Sequence, residues 1–187
     1  MQSFEPTTFT DGKILIRPFK PDDLSAFFEA VQESIPELVT WMTWCKEDYS
    51  LEDATTYIMS REEDGKTEGE YSFAICDAET GTFLGCLGIN QVNRTYNFAN
   101  LGYWVRSSRV GQGVASSATR LGARFGMEVL GLQRIEILAA TANLASQRVA
   151  EKAGAKKEGV LRKRLLKDGQ SRDAVVYSLV IEDLTSA

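Results

Sequence analysis

Histidine is absent from all 187 residues. That absence removes Ser-His-Asp and Cys-His nucleophile pairs, histidine-ligated zinc and histidine general bases together. Cysteine is scarce: Cys45, Cys76 and Cys86 are odd in number and too widely spaced for a Cys-x-x-Cys clamp. They read as reduced core thiols of a cytoplasmic protein. No apolar run approaches the roughly 20 residues that span a bilayer, and Met1 to Pro6 carries Glu5 and lacks a basic segment followed by an apolar one. Neither export nor membrane insertion is expected. Positive charge is in deficit as well, with 21 Lys and Arg against 26 Asp and Glu, a formal charge of −5. A nucleic-acid partner is not expected, and a cationic one suits better.

What is present is ordinary globular composition, 43% hydrophobic and 25% charged, in a length that predicts one domain over 1–187. Lys13 to Pro18 reads as an edge strand ending at a proline. Pro21-Asp22-Asp23 opens a helix whose Leu24, Phe27, Phe28 and Val31 share a face. A shorter helix is expected from about Pro36 to Trp44, and Ser50-Leu-Glu-Asp53 resembles a capping box opening a third, to about 63. Glu63 to Gly69 reads as a loop. Tyr71–Cys76 and Thr82–Val92 form a hairpin with Gly85 and Gly88 as candidate bulges. Phe98–Val105 is the next strand. Gly111–Leu130 is a long helix with Ala115, Ala118, Gly122, Phe125 and Val129 on one face, ending at Gly131. Arg134–Thr141 alternates as a strand, Asn143–Lys152 is a helix, and Val160–Lys167 and Ser171–Val180 flank an Asp168-Gly169 hairpin turn. Hairpins in both halves, with one strand-helix-strand crossover over 98–141, predict a mixed sheet.

The segment Arg109-Val-Gly-Gln-Gly-Val-Ala115 carries the most chemical information. Two glycines two apart permit unusual backbone angles and close ligand approach, and the first turn of the following helix offers unpaired N–H groups at the positive dipole end. This is an anion cradle, although a lone Gly-x-Gly can also be a plain turn. A Rossmann fingerprint fails because position 116 is Ser, and a Walker loop fails for want of Gly-Lys-Ser/Thr. The remaining candidate is a pyrophosphate held without a metal, as in coenzyme A.

Leu101-Gly-Tyr-Trp-Val105, Val110-Gly-Gln-Gly-Val-Ala115, Asn143-Leu-Ala-Ser146 and Glu151-Lys-Ala-Gly154 together resemble the GNAT superfamily of acyl-CoA-dependent N-acetyltransferases. The likeness is greatest to the RimJ and RimL branch, which acetylates the N-termini of ribosomal proteins. It extends from Leu15-Ile-Arg-Pro18 through Trp41 and Trp44 to Gly159-Val-Leu-Arg162 and Arg172-Asp173. The resemblance implies an α/β (α+β) fold with a mixed, V-shaped sheet of about seven strands, helices on both faces, and acetyl-CoA in the gap of the V. It implies that the backbone of Tyr103, Trp104 and Val105 pairs with the pantetheine amides. The N–H groups of Gly111, Gln112, Gly113, Val114, Ala115 and Ser116 would hold the pyrophosphate. Val110 departs from the Gln/Arg of the family pattern, which a main-chain cradle tolerates. A homodimer is compatible with the resemblance.

Acyl transfer to an amine needs a neutral nucleophile, a stabilised oxyanion and a proton for the departing thiolate. Ser146, three residues after Asn143 on the same helix face, is the candidate donor to the sulfur, a role the resemblance also implies; its alternative is an ordinary first-turn polar residue. Asn143 reads as the N-cap of its helix and as a contact to the cofactor arm. No base is assigned. The positions matching the branch's carboxylates are Asn100 and Leu165, and Glu33, Glu37 and Asp48 read as a solvated face. Trp41 and Trp44 read as core in preference to an acceptor-pocket wall, and Arg162-Lys163-Arg164 as a hydrated strand face. With no base, an α-amine of pKa about 7.7–8.0 is an easier acceptor than a lysine near about 10.4. The expected function is acetyl transfer to a primary amine, most favourably a protein N-terminus. The alternatives are a small amine such as an antibiotic or polyamine, or a CoA-binding regulator.

Overall fold

The computed structural model describes residues 8–61 and 69–185. In chain order these form β1 (Phe9–Thr10), β2 (Ile14–Pro18), α1 (Leu24–Trp41), α2 (Leu51–Ser60), β3 (Tyr71–Asp77), β4 (Phe83–Asn93), β5 (Phe98–Val105) and α3 (Val114–Glu128). There follow β6 (Arg134–Ala140), α4 (Leu144–Lys152), β7 (Lys156–Lys167), β8 (Gln170–Leu179) and α5 (Ile181–Thr185). The strands make one eight-stranded sheet in the order β1-β2-β3-β4-β5-β6-β8-β7. All its pairs are antiparallel except β5–β6.

Three expectations about the first third need correction. The sheet has eight strands, because two-residue β1, too short for periodicity to register, pairs Phe9 with Ile16. β2 is therefore flanked on both sides and is not the edge. The separate helix expected from Pro36 does not exist, since α1 runs through Pro36 to Trp41. An internal proline costs about 3 kcal/mol by removing one backbone bond. Burial of Leu38, with Ile35 and Val39 packed on the same cluster, offsets that cost and keeps the helix continuous. The Ser50–Asp53 capping box is formed reciprocally, Ser50 N to Asp53 Oδ2 at 2.8 Å and Asp53 N to Ser50 Oγ at 3.2 Å. The loop read over Glu63 to Gly69 falls, up to residue 68, outside the described residues.

Strand alternation sends successive side chains to opposite faces and so divides the core in two. On one face Ile16, Phe73, Leu87, Leu101, Ile135 and Tyr177 pack against Ala118, Leu121 and Phe125 of α3. On the other, Ala74, Cys76, Cys86 and Trp104 meet Phe27 and Val31 of α1 and Ala54 and Ile58 of α2. The three cysteines are buried and form no disulfide with one another. The buried face of α3 differs from the expected stripe, since Val129 is exposed while Leu121 and Ala123 are buried. Gly122 sets that orientation, because a Cβ there would lie 2.8 Å from Leu87 and 2.9 Å from Leu101. Of the two candidate bulges only Gly85 lies at a register shift, and a Cβ there would meet the Trp104 carbonyl at 2.2 Å. Gly88 pairs regularly on both sides.

Candidate active site

β5 and β6 pair over three residues only, ending at Asn100 opposite Glu136. Beyond that point Leu101–Val105 and Ile137–Ala140 continue as strands without pairing to each other. The expected V is this splay. β5 stays in register with β4 up to Val105 and β6 with β8 up to Ala140, so each arm is held from its outer side. The inner edges carry backbone groups that a bound amide chain can satisfy.

At the open end, β5 leads through a short 3-10 turn, Ser107–Arg109, into the glycine loop. Gly111 and Gly113 are left-handed, φ +82° and +83°, and a Cβ on either would meet nothing within 4 Å. The loop is thus open to a ligand on the side a substituent would fill. Gly113 is the N-cap of α3 and supplies no side-chain cap. Val114, Ala115 and Ser116 form the first turn, whose N–H groups find no acceptor within the helix. Gln112 is exposed and its side chain turns back to the Ser108 carbonyl at 3.3 Å, leaving main-chain groups to meet an anion.

Across the V, Asn143 caps α4, its Oδ1 accepting from Ser146 N at 3.0 Å. Ser146 Oγ lies 3.1 Å from the Tyr103 hydroxyl, which also donates to the Ser146 carbonyl at 3.1 Å. Tyr103 therefore joins β5 to the start of α4 by its side chain, a contact that its role as a backbone donor did not suggest. Burial pushes the Tyr103 phenol up to about 12, so it remains a proton donor at neutral pH. Trp104, next along the strand, points to the opposite face and belongs to the α1–α2 core.

On that opposite face lies a cavity of about 470 Å³ lined by Met42, Trp44, Tyr57, Arg61, Glu70, Ser72, Cys86, Asn90 and Trp104, together with Gly88, Ile89, Gly102 and Tyr103. Trp44 is 39% exposed and stands at this cavity beyond the end of α1. The core reading of Trp44 is overturned because α1 stops at Trp41 and the chain turns outward. Trp41 is half-buried. Cys86 Sγ lies 3.2 Å from the Tyr57 hydroxyl, and Arg61 stacks on the Tyr57 ring at 4.6 Å.

The other sequence candidates disperse. Glu33 is held by Arg106, and its Oε1 accepts from the N and Oγ of Ser108 at 3.1 and 2.8 Å. The Arg106 guanidinium holds the Glu33 carboxyl down at about 2. Glu37 accepts from Ser107 Oγ at 2.9 Å and Asp48 is exposed. These carboxylates brace or border α1 and are outside the cavity lining. Leu165 is half-buried on β7, and Arg162, Lys163 and Arg164 are exposed. Asn100 Nδ2 donates to Asn90 Oδ1 at 2.9 Å, while Asn100 Oδ1 is buried without a partner among the described residues. Sequence reading missed Glu70, which lines the cavity 3.9 Å from Arg61, and Glu136 beside Asn100.

Comparison with known proteins agrees with this arrangement. The family model described as the acetyltransferase (GNAT) domain matches residues 13–156. YjcK of Bacillus subtilis, named a probable N-acetyltransferase, is 32% identical over 136 residues, 72% of this chain and 75% of that protein. YdaF of the same organism, provisionally named a ribosomal N-acetyltransferase, is 28% identical over 169 residues, 89% of this chain and 91% of that protein. The structure of Mycobacterium smegmatis RimJ in complex with CoA-disulfide superimposes with a TM-score of 0.81 at 25% identity, covering 98% of this chain and 89% of that one. The chain belongs to the GNAT acetyltransferase family of N-acetyltransferases, and it is similar in structure to RimJ.

Proposed function

We propose that this chain, as one catalytic domain over 1–187 working in the cytoplasm, transfers acetyl from acetyl-CoA to a primary amine, most favourably the α-amine of a protein N-terminus. One observation carries the reading: the unpaired arms of β5 and β6 connect an open glycine cradle on one face to a 470 Å³ cavity on the other. The residues present fit coenzyme A. Gly111 to Ser116 offer N–H groups and a helix dipole to the pyrophosphate, and Tyr103, Trp104 and Val105 offer strand backbone to the pantetheine. The CoA bound in the RimJ relative and the name of YdaF support the cosubstrate and the ribosomal-type acceptor respectively.

When bound, acetyl-CoA supplies the activated acyl group. Ser146 donates a proton toward the sulfur, oriented by the Asn143 cap at its N–H and by the Tyr103 hydroxyl. Trp44, Tyr57 and Trp104 enclose the acceptor, and Glu70 at the rim attracts a cation. An α-amine has the lower pKa and is the more readily neutral nucleophile at physiological pH. Free thiol released from acetyl-CoA, with mass spectrometry of the acceptor, tests the assignment. Peptides with a free N-terminus outcompete N-blocked lysine peptides. A preference for the blocked lysine peptides excludes the N-terminal acceptor, and thiol release only with small amines points to the alternative.

A further inference from the structure

The strand registers place Asn90 of β4 beside Asn100 of β5, Asn100 beside Glu136 of β6, and Glu136 beside Ser178 of β8. All four share the face of the cavity, because their neighbours Ile89, Leu101, Ile135, Ile137, Tyr177 and Leu179 fill the opposite core. A polar row thus crosses four adjacent strands. It starts in the cavity, where Asn90 is part of the lining, and ends at Glu158 of β7, which accepts from Ser178 Oγ at 2.6 Å. Arg134 closes its outer half, giving Nε to Glu136 at 3.0 Å and Nη1 to Glu158 at 2.7 Å. The inner half is incomplete. Asn100 Oδ1 is buried with nothing to donate to it among the described residues, a condition that costs stability unless a partner is supplied. A water is the partner that such an oxygen takes.

We propose that Glu136 receives the proton of the acceptor ammonium, through a water held on Asn100 Oδ1. The proposal rests on the acetyltransferase reading of the site. An N–H bond of the ammonium breaks and leaves its electron pair on nitrogen. The water takes that proton and passes one of its own to the Glu136 carboxylate, so neutral amine, intact water and a protonated carboxyl result. The lone pair is then available to the acetyl carbonyl. Glu136 acts through the water and is a relay residue, not one that touches the acceptor.

The charged groups around it come from every neighbouring element. Arg134 faces it along β6 and Glu158 from β7. Lys156, in register with Ser178, is committed to Asp183 at 2.9 Å. Arg164 of β7 reaches β4 at Gln91, and Arg61 and Glu70 stand at the cavity rim. Among the described residues that line the cavity, Glu70 is the competing carboxylate, so it supplies the control.

The test is the pH dependence of kcat, with both substrates saturating, for two peptides whose α-amine pKa values differ by about one unit. In the intact protein the kcat profile is the same for both peptides. In Glu136→Gln kcat falls by about a hundredfold at neutral pH, and the profiles of the two peptides separate by about one pH unit. Asn100→Asp in the Glu136→Gln background restores activity by placing a carboxylate at the orphaned position. The KM for acetyl-CoA stays unchanged and the protein stays folded. A folded Glu136→Gln protein with the original profile, or with an equal loss at every pH, overturns the proposal; so does Glu70→Gln reproducing the Glu136→Gln behaviour, with the two peptides' profiles separated. Those results leave thiol release by the intact protein, and with it the acetyltransferase reading, untouched.

Discussion

On the proposed reading, the two faces of the V would recognise their ligands in different ways. The cofactor face is assembled from contiguous chain, 103–116 and 143–146, and presents mostly main-chain groups and a helix dipole. The acceptor face draws Met42, Trp44, Tyr57, Arg61, Glu70, Cys86, Asn90 and Trp104 from five separate elements and connections, and presents side chains. Main-chain recognition depends on φ angles and tolerates side-chain change. Side-chain recognition depends on identity and tolerates backbone adjustment. Substitutions on the two faces should therefore fail differently.

The largest expected effect is at the cradle. Gly113→Val forces a β-branched residue to φ +83° at the N-cap of α3, a conformation that costs such residues more than about 1–2 kcal/mol. CoA affinity falls by more than about tenfold by calorimetry, while Gln112→Ala stays within about twofold. Equal sensitivity at the two positions would break the main-chain account. Ser146→Ala comes next: kcat falls about tenfold to a hundredfold with little change in CoA affinity, because a donor to sulfur is worth most as thiolate charge develops. Tyr103→Phe gives a smaller loss in the same direction, since the phenol orients Ser146. A pure affinity defect in steady-state kinetics would remove Ser146 from the chemistry.

On the acceptor face, Trp44→Ala raises the acceptor KM about tenfold and leaves CoA binding alone. Its stability cost is smaller than that of truncating a buried tryptophan, because the residue is 39% exposed, although its ring packs on Tyr49 and Trp104. The smallest effect belongs to the brace between α1 and the turn before the cradle. Glu33 is held at about 2 against an ordinary 4.5, chiefly by its hydrogen bond to Arg106. A lowered folded pKa contributes stability above about pH 4.5 that is lost as pH falls toward 2. Exposure and screening reduce this to about 1 kcal/mol. Glu33→Gln should show that deficit at pH 7 and none near pH 2 in urea unfolding.

The same contrast explains what could be read from sequence. The glycine loop, the Asn143 cap, the Asp168-Gly169 turn and the single parallel crossover are local signals, and each appears where its residues stand. β1 escaped because two residues carry no period, and the continuity of α1 through Pro36 depends on core contacts that a proline rule cannot see. Trp44 was misplaced because a spacing of three from Trp41 implied a shared helix that had already ended. Glu136 lies 36 positions from Asn100 and becomes its neighbour only through the β5–β6 register.

If one splayed strand pair holds the cofactor by main chain and separates it from the acceptor cavity, titration of the isotopically labelled protein with CoA reads this out in the backbone amide shifts. The largest changes are expected at Gly111–Ser116 and Tyr103–Val105, with α2 nearly silent and the response lost in Gly113→Val. Changes concentrated instead at Trp44, Tyr57 and Arg61, with the glycine loop unmoved, would contradict it.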